Sequence, residues 1–414
     1  MSNLAATADY LGWEQGHVQW DLDPDVRHLN HGSFGAVPSA VSTEQKRLHA
    51  LVELNPVRWF CELPGRIRDA RSQVASLLGT DLERLAFVLN ASCGASVVFQ
   101  SLSQQGPVDV MTTNHGYGAI TMGAERLSKR TGGQAHSVRI PLAATAEEVT
   151  HLVVAALKHV RPTLLVIDQV TSATAREFPV DRICAAARDL GVLTLVDGAH
   201  APGVLPDPVC TEADYWVGNL HKFICSPRGA AVLIARGSGQ ELFPSIDSWG
   251  TPLPFPERFD TQGTFDSTPW VMAPFAWKYL EEAVGWDSIR ETSTAVLDAG
   301  CTVVARSLEK WVAEPLPDVG QPVGQLRLLR LPGKLGATIT DADALRVPFM
   351  DATGVVAAFT SFDGKGYLRL SAHAYTTSHD FDQLASVGIP QLQQWSESMS
   401  MTTAQSHPFR IEEK

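Results

Sequence analysis

Near-continuous apolar runs that each end in a polar residue recur through the middle of this chain. Leu85-Ala-Phe-Val-Leu-Asn90, Leu164-Leu-Val-Ile-Asp168 and Leu193-Thr-Leu-Val-Asp197 have this form, and Val108 to Thr113 reads the same way. A strand with no alternation is covered on both faces, as in a parallel sheet between layers of helix. The stretches between them fit that arrangement. Cys93 to Leu102 reads as a helix. Asp181 to Gly191 is Ala-rich, opens on an acid and closes on Gly, as a crossover helix should. In such sheets ligands bind beyond the carboxyl ends of the strands. Asn90, Asp168, Asp197 and Asn219 fall at such ends and are expected to cluster.

Two of these ends carry chemistry. Asp197 is followed by Gly198-Ala-His200, and Gly218-Asn-Leu-His-Lys222 reads as a later strand ending in a lysine. A pyridoxal phosphate (PLP) site needs this pair. The lysine amine forms a Schiff base with the aldehyde, and the carboxylate keeps the pyridine nitrogen protonated so that the ring is an electron sink. Plainer readings stand beside it. Lys222 alone reads as a surface lysine with a buried stem. Asp197 alone reads as a helix cap or a ribose contact, although no Gly-x-Gly-x-x-Gly precedes it. His200 reads as a core histidine or as a contact to the cofactor ring or its phenolic oxygen. Ser92, Cys93 and Gly94, in the turn Asn90 to Ser96, are candidate phosphate contacts at a helix N-terminus, or part of an ordinary capped helix. Tyr117, in a Gly-rich loop after a strand, reads as a lid over a flat ring, as a proton relay, or as simply packed. His115 suits the same jobs less directly. Arg369, flanked by apolar neighbours, reads as a bidentate grip on a substrate carboxylate or as a solvent-facing edge position.

The chain has 414 residues, enough for a large core and two domains. Its 45 acids against 33 bases give a net charge of -12, which argues against nucleic-acid and anionic-membrane partners. The six cysteines are scattered without a Cys-x-x-Cys pair, which points to a reducing cytoplasm rather than a disulfide framework. Met1 to Gln19 has neither a basic nor an apolar region of a signal peptide, and no apolar run is long enough to cross a bilayer. With no His-Glu-x-x-His and no Cys/His cluster along the sequence, no metal is expected. His31-Gly-Ser-Phe-Gly35 lacks the first Gly of a hydrolase nucleophile elbow and is set aside. Pro244 to Pro256 breaks the alternating pattern. A helix-like stretch from Ala273 to Leu308 follows, then Val355 to Thr360 and Tyr367 to Ser371 as strands around the turn 361–366. The expected organisation is an N-terminal segment 1–30, a large cofactor domain 31–265, a smaller α+β domain 266–395 and a frayed polar tail 396–414.

Taken together these residues resemble the class V aminotransferase family of PLP enzymes, and within it the isopenicillin N epimerase-like branch. The carriers are Leu29-Asn-His-Gly-Ser-Phe-Gly35, the Asn90 to Ser96 turn, Tyr117-Gly-Ala119, Thr171-Ser-Ala-Thr174, Val196-Asp-Gly-Ala-His200, His221-Lys222, Gly263-Thr264 and Arg369. The resemblance implies an α/β protein of PLP-dependent transferase fold type I, with a mostly parallel central sheet, acting as a homodimer with shared active sites. It implies Lys222 as the Schiff-base lysine, Asp197 as the pyridinium partner, and Asn219 and His221 near the phosphate. Thr264 would come from the neighbouring subunit, Arg369 would hold the substrate α-carboxylate, and Asn30 and His31 would line the substrate entrance. The chain departs from the branch at Asp168-Gln169, where Asp-His is frequent, and at Gly263-Thr-Phe-Asp266, where Gly-Thr-Arg-Asp is frequent. Cysteine desulfurases carry a nucleophilic Cys before the final Arg, and Thr360 to Gly366 has none. These departures favour a lyase-like enzyme of specialised metabolism acting on a cysteine S-conjugate, by β-elimination or decarboxylation. Ergothioneine-type sulfoxide lyases and the S-conjugate-processing enzymes of lincosamide pathways are similar in this branch. An amino acid epimerase, a non-catalytic PLP-fold protein and a nucleotide-binding α/β protein are the alternatives.

Overall fold

The fold is that of a computed structural model, which describes residues 18–402. The segment Met1 to His17 and the last twelve residues of the expected tail lie outside the described residues. Among the described residues twelve strands occur in chain order. They are β1 (Arg27–His28), β2 (Leu85–Val88), β3 (Val110–Thr113), β4 (Ala135–Val138), β5 (Leu164–Asp168), β6 (Leu193–Asp197), β7 (Tyr215–Asn219), β8 (Ala231–Ala235), β9 (Leu326–Arg330), β10 (Val355–Val356), β11 (Ala358–Phe362) and β12 (Lys365–Ser371). Seven of them form the central sheet in the order β2-β8-β7-β6-β5-β3-β4, with β8 antiparallel to both its neighbours and the rest parallel.

The absence of alternation has the expected cause. Along β5, Leu165 and Ile167 enter one apolar core while Leu164 and Val166 enter another on the opposite face. The helices Ala91–Leu102 and Gly118–Thr131 cover the second face, and Val180–Asp189 and Thr268–Ala283 lie on the first. Both faces of the sheet are therefore dry. The polar residues at the strand ends converge because β5 and β6 run in register: Asp168 pairs with Asp197.

A second sheet, β11-β12-β9, is antiparallel and packs with the helix Trp286–Leu308 on a separate core containing Leu329, Phe359 and Leu370. Its hairpin turns at Asp363-Gly364, both with positive φ (47° and 68°), the two-residue geometry that Asp-Gly favours. The turn is thus tighter than 361–366. β12 is the middle strand, with Arg369 paired to Ala358 and to Leu328, so the edge reading of Arg369 is excluded.

Several expectations shift. The stretch from Ala273 to Leu308 is two helices, Thr268–Ala283 and Trp286–Leu308, parted at Gly285 with φ 86°. Apolar periodicity runs across the break, and only the single Gly signals it. β9 was not foreseen, because Leu326-Arg-Leu-Leu-Arg330 alternates too weakly to declare a strand. The region from Ser396, expected as frayed tail, continues the helix Ile389–Thr402. The strand expected to end in Lys222 ends at Asn219, and the lysine lies in the turn beyond. Among the described residues no helix is long and apolar enough to cross a membrane.

Candidate active site

The carboxyl ends of β5, β6 and β7 bring Lys222, Asp197, Asp168 and His200 together. Lys222 Nζ lies 3.1 Å from His200 Nε2. Burial, with the nearby Arg369 guanidinium, pushes the Lys222 amine down from 10.5 to about 7, against the pull of Asp197 and Asp168. An amine so placed is substantially neutral at physiological pH and free to act as nucleophile or base. His200 Nε2 also lies 2.9 Å from the Gly32 carbonyl. One nitrogen serves only one of these partners at a time, accepting from Lys222 or donating to Gly32. Burial first, and then the charges of Lys222 and Arg369, hold the His200 imidazole neutral.

Asp197 is buried at the end of β6, and its Oδ1 accepts from the Ala199 amide at 3.0 Å. Burial raises its carboxyl above the ordinary range, with Lys222 pulling the other way. Asp168 beside it is pushed up further, by burial and by the Asp197 charge, and its Oδ1 accepts from the Tyr117 amide at 3.2 Å. Two buried carboxyls with one shared amine want a further cation, and a protonated ring nitrogen at Asp197 meets that demand. Gly198 leaves no room for a side chain: a Cβ there would stand 2.4 Å from the Trp216 ring.

Arg369 is buried and aimed by polar partners. Nη1 donates to the Ser172 carbonyl at 2.6 Å and to Ser172 Oγ at 3.0 Å. Nη2 donates to Ser33 Oγ at 2.9 Å and to Asn30 Oδ1 at 3.4 Å. Nε has no partner. None of these acceptors is an anion, and burial lowers the guanidinium to about 10. A buried cation with neutral partners and an unspent N–H suits an incoming carboxylate. Asn30 therefore contributes as a holder of Arg369.

The turn into the helix Ala91–Leu102 holds Ser92, Cys93 and Gly94, and the Gly94 amide donates to the Asn90 carbonyl at 3.1 Å. Asn90 caps it by accepting from the Cys93 amide at 2.8 Å, and Asn219 Oδ1, from the end of β7, accepts from the Ala91 amide at 2.9 Å. The Ser92 hydroxyl has no hydrogen bond among the described residues. Gly94 permits close packing, since a Cβ there would be 2.7 Å from Val217. Asn219 thus ties β7 to this helix end. His221 is half-buried with Nδ1 toward the Ala230 carbonyl at 2.9 Å. Thr264 is exposed on the loop before Thr268–Ala283. Tyr117 is 44% exposed at the start of the helix Gly118–Thr131 and near enough to Arg369 to influence it.

Three histidines take places that spacing did not reveal. His115 is buried, with Nδ1 2.7 Å from Thr174 Oγ1 and Nε2 3.0 Å from the Ile140 carbonyl, so it braces loops and has no nitrogen to spare. His31, expected at an entrance, is buried behind the Lys222 backbone. His373, unnoticed in the sequence, stacks on it with ring centroids 4.3 Å apart. With Cys225 they form a Cys/His cluster whose ligand atoms all lie within 4.8 Å, assembled from three distant segments and so invisible to sequence spacing.

The class-V aminotransferase family model matches residues 40–286. Isopenicillin N epimerase of Streptomyces clavuligerus is 30% identical over 90% of this chain and 96% of its own length. Hercynylcysteine sulfoxide lyase of Schizosaccharomyces pombe is 23% identical over 88% of this chain and 94% of its own. The solved complex of a cystine C–S lyase with cysteine persulfide superimposes with a TM-score of 0.72, at 16% identity, over 89% of this chain and 97% of that one, a likeness of fold. The fold is that of a fold type I PLP enzyme. The chain belongs to the class-V aminotransferase family.

Proposed function

We propose that this enzyme cleaves the carbon–sulfur bond of cysteine S-conjugates by β-elimination, with Lys222 carrying the cofactor and Asp197 facing its ring nitrogen. The observation that carries the reading is the buried Lys222 amine, near-neutral at about 7, between two strand-end carboxyls and a guanidinium with no anionic partner. Bound PLP supplies an electron sink for charge developing at the carbon next to the substrate nitrogen. Arg369 binds the substrate carboxylate and Lys222 takes the α-proton as a neutral base. Tyr117 closes the outer side of the site. Ser92, Cys93, Gly94, Asn219 and His221 surround the phosphate, and Thr264 of a second copy completes it in a homodimer. The balance is a cysteine S-conjugate plus water giving a thiol, pyruvate and ammonium.

Amino acid epimerisation is the second reading, favoured by the 30% identity to the Streptomyces enzyme. It needs an acid on the face opposite Lys222 to return the proton. Where that branch frequently has His, this chain has Gln169, whose Oε1 is occupied by the Trp216 indole N–H at 2.9 Å. Incubation with S-substituted cysteines in heavy water separates the two. Elimination releases thiol and pyruvate in equal amounts. Recovery of intact, α-deuterated amino acid of inverted configuration, without pyruvate, overturns the lyase reading.

A further inference from the structure

Directly behind Lys222, side chains from opposite ends of the chain grip its backbone. His31 lies in the short helix His31–Phe34, and His373 follows β12. His31 Nε2–H donates to the Lys222 carbonyl at 3.1 Å. His373 Nε2–H donates to the next carbonyl, that of Phe223, at 3.0 Å. The Lys222 carbonyl also accepts from the Cys225 amide at 2.9 Å, closing a turn. The Tyr375 hydroxyl donates to His31 Nδ1 at 3.1 Å, which fixes the tautomer that puts the proton on Nε2. Within the turn Cys225 is held at φ 61°, a left-handed conformation that an L side chain rarely adopts. Cys225 Sγ lies 3.7 Å from His31 Nε2 and 3.6 Å from His373 Nε2.

A metal would compete for these atoms, but the ring geometry opposes it. The two imidazoles stack with an interplanar angle of 21°. Each lone pair lies in its own ring plane, and two nearly parallel planes cannot converge on one ion. Both Nε2 atoms are, moreover, already spent on carbonyls. The cluster is built to hold backbone.

We propose that His31 and His373 are positioning residues, clamping the Lys222-Phe223 backbone so that the Lys222 amine returns to one place each time it is released from the cofactor. The proposal rests on the reading that Lys222 carries PLP. A lysine side chain is flexible along its whole stem, so where its amine arrives depends on how firmly its Cα is held. Small displacements of a reacting group are costly in rate, and the clamp removes them before the reaction begins.

Two variants of one residue test it. His373→Phe keeps the ring and its stacking but loses the N–H, and His373→Gln restores an N–H donor. In cofactor-free protein, hydrogen exchange of the peptide spanning 220–227 is expected to quicken about tenfold in His373→Phe and to recover in His373→Gln. In PLP-loaded protein, aminooxyacetate displaces the Lys222 amine from the cofactor, followed by the loss of visible absorbance. The saturating rate is expected to fall about tenfold in His373→Phe, with half-saturation unchanged because Arg369 is intact, and to recover in His373→Gln. If His373→Phe does not fold, Tyr375→Phe removes one hydroxyl and carries the same expectation at about threefold. Unchanged exchange and unchanged rate, or a Gln variant no better than Phe, overturns the clamp. Wild-type protein that never links PLP to Lys222 overturns the reading beneath it and the proposal together. A wild-type adduct with unaltered variants overturns the clamp alone.

Discussion

Lys222 shows how environment, more than identity, makes a residue reactive. Nothing in His221-Lys222-Phe223 distinguishes it from a surface lysine except the Asp-Gly-Ala-His motif upstream. In the fold it is sunk beneath two carboxyls and a guanidinium, and its amine titrates near 7 instead of 10.5. Stability follows from the sign of that shift. Between those two values the unfolded chain holds a proton that the folded chain lacks, so the stability of cofactor-free protein rises with pH across the window. Lys222→Met is therefore expected to stabilise cofactor-free protein by a few kcal/mol below about pH 7, with the gain shrinking toward pH 10.5. Thermal unfolding at several pH values reads this directly, and a gain independent of pH contradicts it. Arg369 adds to the depression, so Arg369→Met should raise the pH at which Lys222 takes up PLP. The same variant should weaken carboxylate-bearing substrates by roughly 2–5 kcal/mol. An uptake midpoint that stays near 7 removes Arg369 from the neighbourhood of the amine. The histidines mark the limit of sequence at this scale. His31, His115 and His373 differ in role only through partners far away in the chain, such as Tyr375 for His31 and Thr174 for His115.

At the scale of elements, β5 and β6 were legible to the residue, because dry strands ending in an acid are hard to mistake. The second sheet was half legible. The turn expected at 361–366 marks the hairpin of β11 and β12, while β9 has no such signal. The pairing of β12 with β9 is what moves Arg369 from an edge to the middle of a sheet, and so into the site. The helix Ala91–Leu102 is anchored at its first turn by Asn219 from β7, a link between residues 128 apart. Asn219→Ala should cost about 1 kcal/mol of stability and weaken PLP binding, since it frees the end expected to hold the phosphate. PLP titration of the variant checks this, and unaltered affinity contradicts the assignment. Gly94→Val should be harsher, because even a Cβ would press on Val217. The helix must then lift from the sheet, and reduced PLP content at retained helicity is the expected signature.

For the whole molecule, charge and composition narrowed the class without reaching the reaction. A net charge of -12 leaves phosphate binding to local donors, and the helix end at Ser92 and Cys93 with Asn219 and His221 is the place proposed for it. The proposed homodimer has its own expected surface. Phe243, Ile246, Trp249 and Leu253 are exposed on the loop leading to Thr264, and Trp249 is fully so. Sedimentation should give twice the chain mass, and Trp249→Glu should shift it toward one copy with loss of PLP affinity. A monomer that retains full PLP affinity contradicts a shared phosphate site.

Borohydride reduction of PLP-loaded protein followed by peptide mass mapping tests the proposed covalent link between Lys222 and the cofactor most directly. A single pyridoxyl group on Lys222, absent in Lys222→Met, is the predicted result. A label on another lysine, or protein that takes up no PLP, contradicts the account.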